Sequence, residues 1–461
     1  MEHVPRDVQD SSFEAEVEAR CSNVEASNPV LDEQGAEKLK GDAIGNTLYS
    51  ESGLLKTLIS LSKFNDDAWS EQFEEQLCFL WDMTFEDDVI AVLLQHDFIN
   101  LACQVIQTSS VPRLIEILIG ILGNMSARKE VRIHLAHSST ADILISLLAT
   151  SDSLTLLQLV RLLNSCVWHV NRSSHTNDGE LQDEEKHLDL HAEVESWIAL
   201  LKNNSGALNE HLSFILKSST NEELLQSTLE LLNNLCCTTS KNHYFSEFLS
   251  TSMLLEGLTE ALHQLLDVGE EKEANVVWGD KSEKAAQHWT QTLSAFTLHH
   301  AGTDLIYDQR QIIMRSLCSI LDPLGLQENI FPLDSRKLEI LDSILDVIDC
   351  LKNKKNYSPP ALLPRILTIL SFLSVVTKDT GDQADTPEES DNEESLEMQW
   401  EVQSRLFTYC FSVLCDIDLT EFLEAFGDNP IPKVRALLSS LSQCSDHKIV
   451  KITTVIERLL T

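Results

Sequence analysis

One short apolar signature recurs along this chain: ILGNMS at Ile121 to Ser126, LLNSCV at Leu162 to Val167 and LLNNLC at Leu231 to Cys236. With Asn124, Ser165 and Asn234 taken as equivalent, the first two copies stand 41 residues apart and the next two 69 apart. The surplus of 28 roughly matches a hydrophilic stretch, Asn171 to Glu195, between the second and third copies. A repeat of about 40 residues closed by a Leu-rich helix belongs to stacked helical arrays. A unit of that size cannot bury its own apolar face, so neighbours must lend theirs and form one continuous core. Such an architecture binds things; the repeat alone does not say what.

Composition agrees with helix. Of 461 residues 43% are hydrophobic, leucine dominates, and 15 glycines, 11 prolines and 5 tyrosines leave little turn chemistry for a large sheet. The expected fold class is all-α, an armadillo/HEAT-like right-handed helical solenoid. The net charge of −39 is unevenly spread. Residues 1–42 hold 11 acids and 4 bases, 171–195 hold 8 acids and 2 bases, and 379–398 hold 9 acids and no base. Direct binding to nucleic acid needs clustered Lys and Arg, which this distribution lacks. It permits basic partners such as Arg-rich peptides, or simply keeps a leucine-rich chain in solution.

Most of the eleven cysteines lie in apolar helical stretches, among them Cys78, Cys103, Cys166, Cys318 and Cys415. Residues 1–20 are acidic without an apolar centre, so no secretory signal is expected and the thiols read as reduced and intracellular. The sequons at Asn124, Asn171, Asn203 and Asn356 are then expected to stay bare. Leu114 to Leu122 is the most apolar run, too short for a bilayer and interrupted by Glu116. No membrane association is expected.

The chain divides into an acidic leader at 1–40, a helical array at 41–378 carrying the acidic insert 171–195, an acidic linker at 379–398, and a C-terminal helical cap at 399–461. Helices are predicted around Leu54 to Leu61, Glu71 to Met83 and Glu86 to Gln95, with Thr84-Phe85-Glu86-Asp87 read as a capping box. The first clear repeat runs from Glu86 to Ser126. In its last helix Leu114, Ile117, Leu118, Ile121, Leu122 and Met125 form one buried face, and Ile115 with Ile119 a second. Beyond Cys237 the regularity decays. Trp81 reads as a buried capping aromatic, and so do Trp168, Trp197, Trp278, Trp289 and Trp400.

The residues closing each third helix are the candidates for function. A groove formed by successive third helices would be lined by Arg113, Asn124, Arg161 and Asn234. In armadillo arrays an Asn at this place bonds the backbone of an extended peptide; the alternative is a helix C-terminal Asn chosen for left-handed geometry. Import adaptors of that class add a Trp one turn earlier, where this chain has Gly120, Arg161 and Glu230. That chemistry does not transfer, and neither does the basic groove of catenin-type proteins.

Metal and catalytic readings find little. Cys236, Cys237 and His243 lie close in sequence, as do His299 and His300, but no C-x-x-C occurs and adjacent cysteines chelate poorly. Phosphate-cradling, dinucleotide and nucleophile-elbow motifs are absent from the sequence, so no enzyme, cofactor or metal is expected. Thr386, Ser390 and Ser395 precede acids, as acid-directed kinases prefer.

GDAIGNTLYS (Gly41 to Ser50), LCFLWDMTFEDDV (Leu77 to Val89), PRLIEILIGILGNMS (Pro112 to Ser126), LTLLQLVRLL (Leu154 to Leu163) and FILKSSTNEELL (Phe214 to Leu225) together resemble the serum-amyloid-A-like-1 (Saal1) family. The resemblance covers Gly41 to Cys237; the C-terminal half matches only as generic helix. It implies a non-enzymatic armadillo-like protein, nuclear or else cytoplasmic, linked in vertebrates to promotion of cell proliferation. No family site can be carried across. The expectation is a monomeric protein-interaction scaffold for a protein or peptide partner, the alternative an acidic adaptor or chaperone for basic nuclear proteins working through its acidic segments.

Overall fold

The computed structural model describes residues 42–175, 196–237, 239–240, 243–266, 278–355, 359–376, 390–442 and 447–460. The predicted leader, most of the acidic insert and Thr386 lie outside these residues, as do the side chains of Ser390 and Ser395. Helices α1 (Glu51–Ser62) and α2 (Glu71–Met83) open the described array. Triplets follow: α3 (Asp87–Gln95), α4 (Phe98–Thr108) and α5 (Pro112–Met125); α6 (Lys129–Leu135), α7 (Ser138–Leu147) and α8 (Ser153–His175); α9 (196–203), α10 (Ser205–Ser218) and α11 (Glu222–Cys237).

The rhythm persists where the sequence signature fades. It gives α12 (Ser246–Leu249), α13 (Ser252–Leu265) and α14 (Asp280–Thr297), then α15 (His300–Asp308), α16 (Arg310–Leu324), the short α17 (Gln327–Ile330) and α18 (Ser335–Lys355). Helices α19 (Leu363–Val376), α20 (Ser390–Asp416), α21 (Leu419–Ala425), α22 (Pro430–Leu441) and α23 (His447–Leu460) complete it. The named strands are two-residue pieces of one antiparallel hairpin, Thr239–Ser240 with His243–Tyr244.

The long helices pack in strict succession, α2 on α5, then α8, α11, α14, α18, α20 and α23. A second layer stacks alongside, α1 on α4 on α7, and further on α10, α13, α16, α19 and α22. This two-layer ladder is an all-helical armadillo-like solenoid. Its buried side chains form a single core from Ile44 to Ile456, as units that bury one another's apolar faces require.

Helix α5 shows why the sequence folds this way. Pro112 takes its first turn, where the missing amide donor costs nothing. Leu114, Ile117, Leu118, Ile119, Ile121, Leu122 and Met125 are then buried on several sides, because α2, α4 and α8 all pack against it. Among the described residues no single helix is long and apolar enough to cross a membrane; α3 and α4 pass that test only as a pair, bent by 73°.

Several expectations need correction. The capping box at Thr84 does not form. Glu86 is the N-cap of α3 and makes no side-chain cap bond, while Thr84 closes α2 and donates its hydroxyl back to the Trp81 carbonyl. The tryptophans divide: Trp197 and Trp289 are buried and Trp81 and Trp278 half-buried, but Trp168 is 45% exposed and Trp400 61%. The predicted insert begins inside α8, which continues through His175. The predicted linker 379–398 is helical from Ser390, so the cap boundary at 399 falls within α20.

Candidate interaction surface

One edge of the ladder carries half-exposed polar side chains at three- and four-residue spacing, and these bridge each long helix to the next. Between α2 and α5, Arg113 Nε donates to Glu74 at 2.8 Å and Arg113 Nη1 meets Glu116 at 2.8 Å. Hydrogen bonds donated to Glu74 and then to Glu116 hold this guanidinium more firmly charged than usual. Lower on the same rung, the Trp81 ring lies over Gly120, where a Cβ would stand 2.1 Å from Cζ2. Asn124 Nδ2 donates to Thr84 Oγ1 at 3.0 Å and to the Trp81 carbonyl at 3.4 Å.

The pattern repeats with different residues. Ser126 donates to Ser165 at 2.9 Å. Between α8 and α11, Arg161 pairs with Glu223, Asn234 Nδ2 donates to Asn164 Oδ1 at 2.6 Å, and Asn171 reaches the Asn234 carbonyl at 2.8 Å. Asn233 donates to Gln291 at 2.8 Å, and Gln287 and Gln291 both donate to Glu339. Ser294 donates to Asp346 at 2.5 Å. Between α18 and α20 one guanidinium, Arg405, is shared by Asp342, by Asp346 at 2.8 Å and by Asp349 at 2.9 Å.

The four candidates from sequence thus share this edge but sit on three rungs, Arg113 and Asn124 on α5, Arg161 on α8 and Asn234 on α11. Each is engaged by a neighbouring rung. The left-handed cap reading does not apply to the two asparagines: Asn124 lies within α5, whose C-cap is Ser126 at φ −65°, and Asn234 lies within α11. Sequence reasoning missed the aspartate fan. Its signal was present in DSILDVID, acids at i, i+4 and i+7 with mostly apolar residues between them.

The fan is electrostatically unbalanced, with three carboxylates to one cation. Burial pushes the Asp342 carboxyl upward, and Arg405 opposes that shift. Burial also works against the Arg405 charge, but the carboxylates of Asp349 and Asp346 outweigh it. Beside the fan lies a groove of about 400 Å³ lined by Thr297, Thr303, Asp346, Asp349, Cys350, Asn353 and Lys354. Its ionic groups are paired, Lys354 with Asp304 and Asp346 with Arg405, and burial pushes the Cys350 thiol up, away from nucleophilic thiolate.

One rung away, Glu283 is 8% exposed, its Oε1 accepts no hydrogen bond among the described residues, and Arg336 stands 3.8 Å off. Burial, then Asp334, raises its carboxyl. The folded state therefore holds a proton that the unfolded chain releases, and stability falls as pH climbs from the ordinary glutamate range through the folded value. Glu283→Gln is expected to melt above wild type at pH 7, the advantage vanishing as pH is lowered to the ordinary glutamate range, read from thermal melts across that interval.

Residues 208–451 match the family model described as the SAAL1 C-terminal domain, which is more than half of the chain. The chain belongs to the SAAL1 family. That match falls mostly in the half whose sequence had looked generic. Among curated relatives, Protein saal1 of Danio rerio is 32% identical over 218 residues, covering 45% of this chain and 42% of that one. Protein SAAL1 of Homo sapiens is 30% identical over 211 residues, 42% of this chain and 40% of that one. The chain thus spans about two fifths of the length of these relatives. A designed armadillo repeat protein overlaps 64% of this chain and 98% of its own at 13% identity and a TM-score of 0.39. The assignment of fold rests on the ladder itself.

Proposed function

We propose that this SAAL1-family chain is a non-enzymatic scaffold that holds an extended segment of a protein partner along the solvent edge of its long-helix ladder. The unbroken succession from α2 to α23 carries this reading, because a continuous edge offers one partner many small contacts. The four candidate residues spend their bonds bracing rungs, so partner contact falls to exposed groups between them. On α8, Leu154 (48% exposed), Arg161 and Trp168 share one stripe at seven-residue spacing. Replacing Leu154 and Trp168 by alanine should reduce partner recovery in affinity purification while leaving the melting temperature within about 2 °C. Equal recovery would sink the edge as the binding surface.

Asn124→Ala is a poorer probe. It removes the bonds to Thr84 and Trp81 and should cost about 1 kcal/mol of stability whether or not a partner binds.

A second reading, an adaptor for basic partners, is favoured by the aspartate fan. Its test is a labelled nona-arginine peptide titrated at rising salt. Neutralising Asp342 and Asp349 as asparagines should weaken binding about tenfold and flatten the salt dependence. If removal of residues 377–389 weakens it instead, the acidic segment is the adaptor. A nuclear location belongs to the same proposal and would be read by imaging a tagged chain.

A further inference from the structure

His299 stands between α14 and α15 and is the N-cap of the second. Its Nδ1 accepts from the Gly302 amide at 3.1 Å, a task that a serine, threonine, asparagine or aspartate oxygen performs at most helix starts. On its other side Nε2 lies 3.2 Å from Ser250 Oγ, and that hydroxyl donates its proton to the Ser246 carbonyl at 2.7 Å. Ser250 is therefore an acceptor toward the ring, which places the one proton of a neutral imidazole on Nε2 and leaves Nδ1 bare. Glycine is required at 302, because a Cβ there would stand 2.7 Å from the imidazole Cε1 and 2.1 Å from the Phe296 carbonyl oxygen.

This cap has a weakness that an oxygen cap lacks. A further proton can enter the ring only at Nδ1, and it takes away the acceptor that holds Gly302. The resulting cation would also face the positive end of α15. Burial disfavours the charged ring and outweighs Glu247 on α12, which favours it. Helices α14, α16 and α18 also pack against α15. Of these, α14 ends in the uncharged Ser294 to Thr297, α16 offers Arg310, whose guanidinium rests on Tyr307, and α18 offers Lys354, paired with Asp304. On α15 itself His300 meets Asp304 at 2.9 Å, a pair that protonation of His300 would tighten rather than loosen.

What α15 carries makes its cap consequential. Thr303 lines the groove beside the aspartate fan, and Asp304 holds Lys354 in the wall of that groove. We propose that His299 is a proton-operated latch: uptake of a proton at Nδ1 releases the first turn of α15 and, with it, the groove wall that Thr303 and Asp304 maintain. The capped ring is harder to protonate than the released one, so release takes up a proton. The latch is therefore fully closed above the ordinary histidine range and weakens as pH falls through that range toward the capped value. It works whether or not the ladder edge binds a partner.

The test is hydrogen exchange on the full chain at about pH 7.5 and about pH 5.5, either side of the ordinary histidine value, each rate divided by the intrinsic rate of an unstructured amide at that pH. Protection over residues 302–308 should fall about fivefold at the lower pH, as for a lost N-cap, while α5 keeps its protection. His299→Asn supplies a cap oxygen that does not titrate and should hold the wild-type protection at both values. His299→Ala should show the weakened state at both. Unchanged protection in the wild type overturns the latch. So does a loss that His299→Asn repeats in full, which puts the titration on another group, or one shared equally by α5, which makes it global. An alanine variant protected like wild type at the higher pH also overturns it, because Nδ1 would then not be the cap.

Discussion

Gly120→Ala is expected to destabilise the array, although the same change in an exposed helix interior stabilises by about 0.5–1 kcal/mol. The added methyl would stand 2.1 Å from Trp81 Cζ2 and 2.3 Å from Cε2, inside any permissible contact. The indole cannot simply retreat, because α2 is held to α5 on either side of it by Arg113–Glu74 and by Asn124–Thr84. Overpacking of this kind costs about 1–3 kcal/mol, which outweighs the helix-propensity gain. Since each unit touches only its neighbours, the loss should be local. Hydrogen exchange should accelerate across α1 to α5 and stay near wild type beyond α11. Adding Trp81→Leu should restore part of the loss, which identifies the ring as its cause. An alanine variant as stable as wild type would mean that the ring does not rest there.

Trp197→Ala should have the larger effect, about 3–5 kcal/mol for emptying a fully buried aromatic site. Trp197 is 1% exposed and belongs to α9, the first described helix after the acidic insert. Its Nε1 donates to the Arg132 carbonyl at 3.1 Å, and Arg132 Nη1 in turn grips the carbonyls of Ser126 and Ala127 just past α5. One side chain therefore stitches the returning chain to a point 65 residues earlier. Trp168→Ala and Trp400→Ala, at exposed positions, should shift stability by less than about 1 kcal/mol. Denaturant titrations of the three variants decide the point. Similar losses in all three would deny Trp197 this role.

The helices were largely legible in advance. The segments predicted at Glu71 to Met83 and Glu86 to Gln95 differ from the observed ones by no more than a residue at an end, because apolar spacing is a local property of the chain. The capping box failed because Thr84 had two uses for its hydroxyl, and the helix behind it together with Asn124 claimed it. The tryptophans could not be sorted, since what separates them is which face their tertiary neighbours cover, and that is not a local property of the chain. The array's continuation past Cys237 was obscured for the same reason. Its rungs are joined there by glutamine, aspartate and arginine rather than by the LLN word.

By itself the sequence determined that this is a helical chain of modules unable to stand alone, since helical period and leucine content are read from residues a few places apart. Tertiary structure alone decided which polar side chains meet across a rung: Asn234 with Asn164, Gln291 with Glu339, Arg405 with three aspartates. Those partners lie some 50 to 70 residues apart in the chain. Their meeting depends on how far each helix slides along the last, and that offset is set by the packing of buried faces, not by any local pattern.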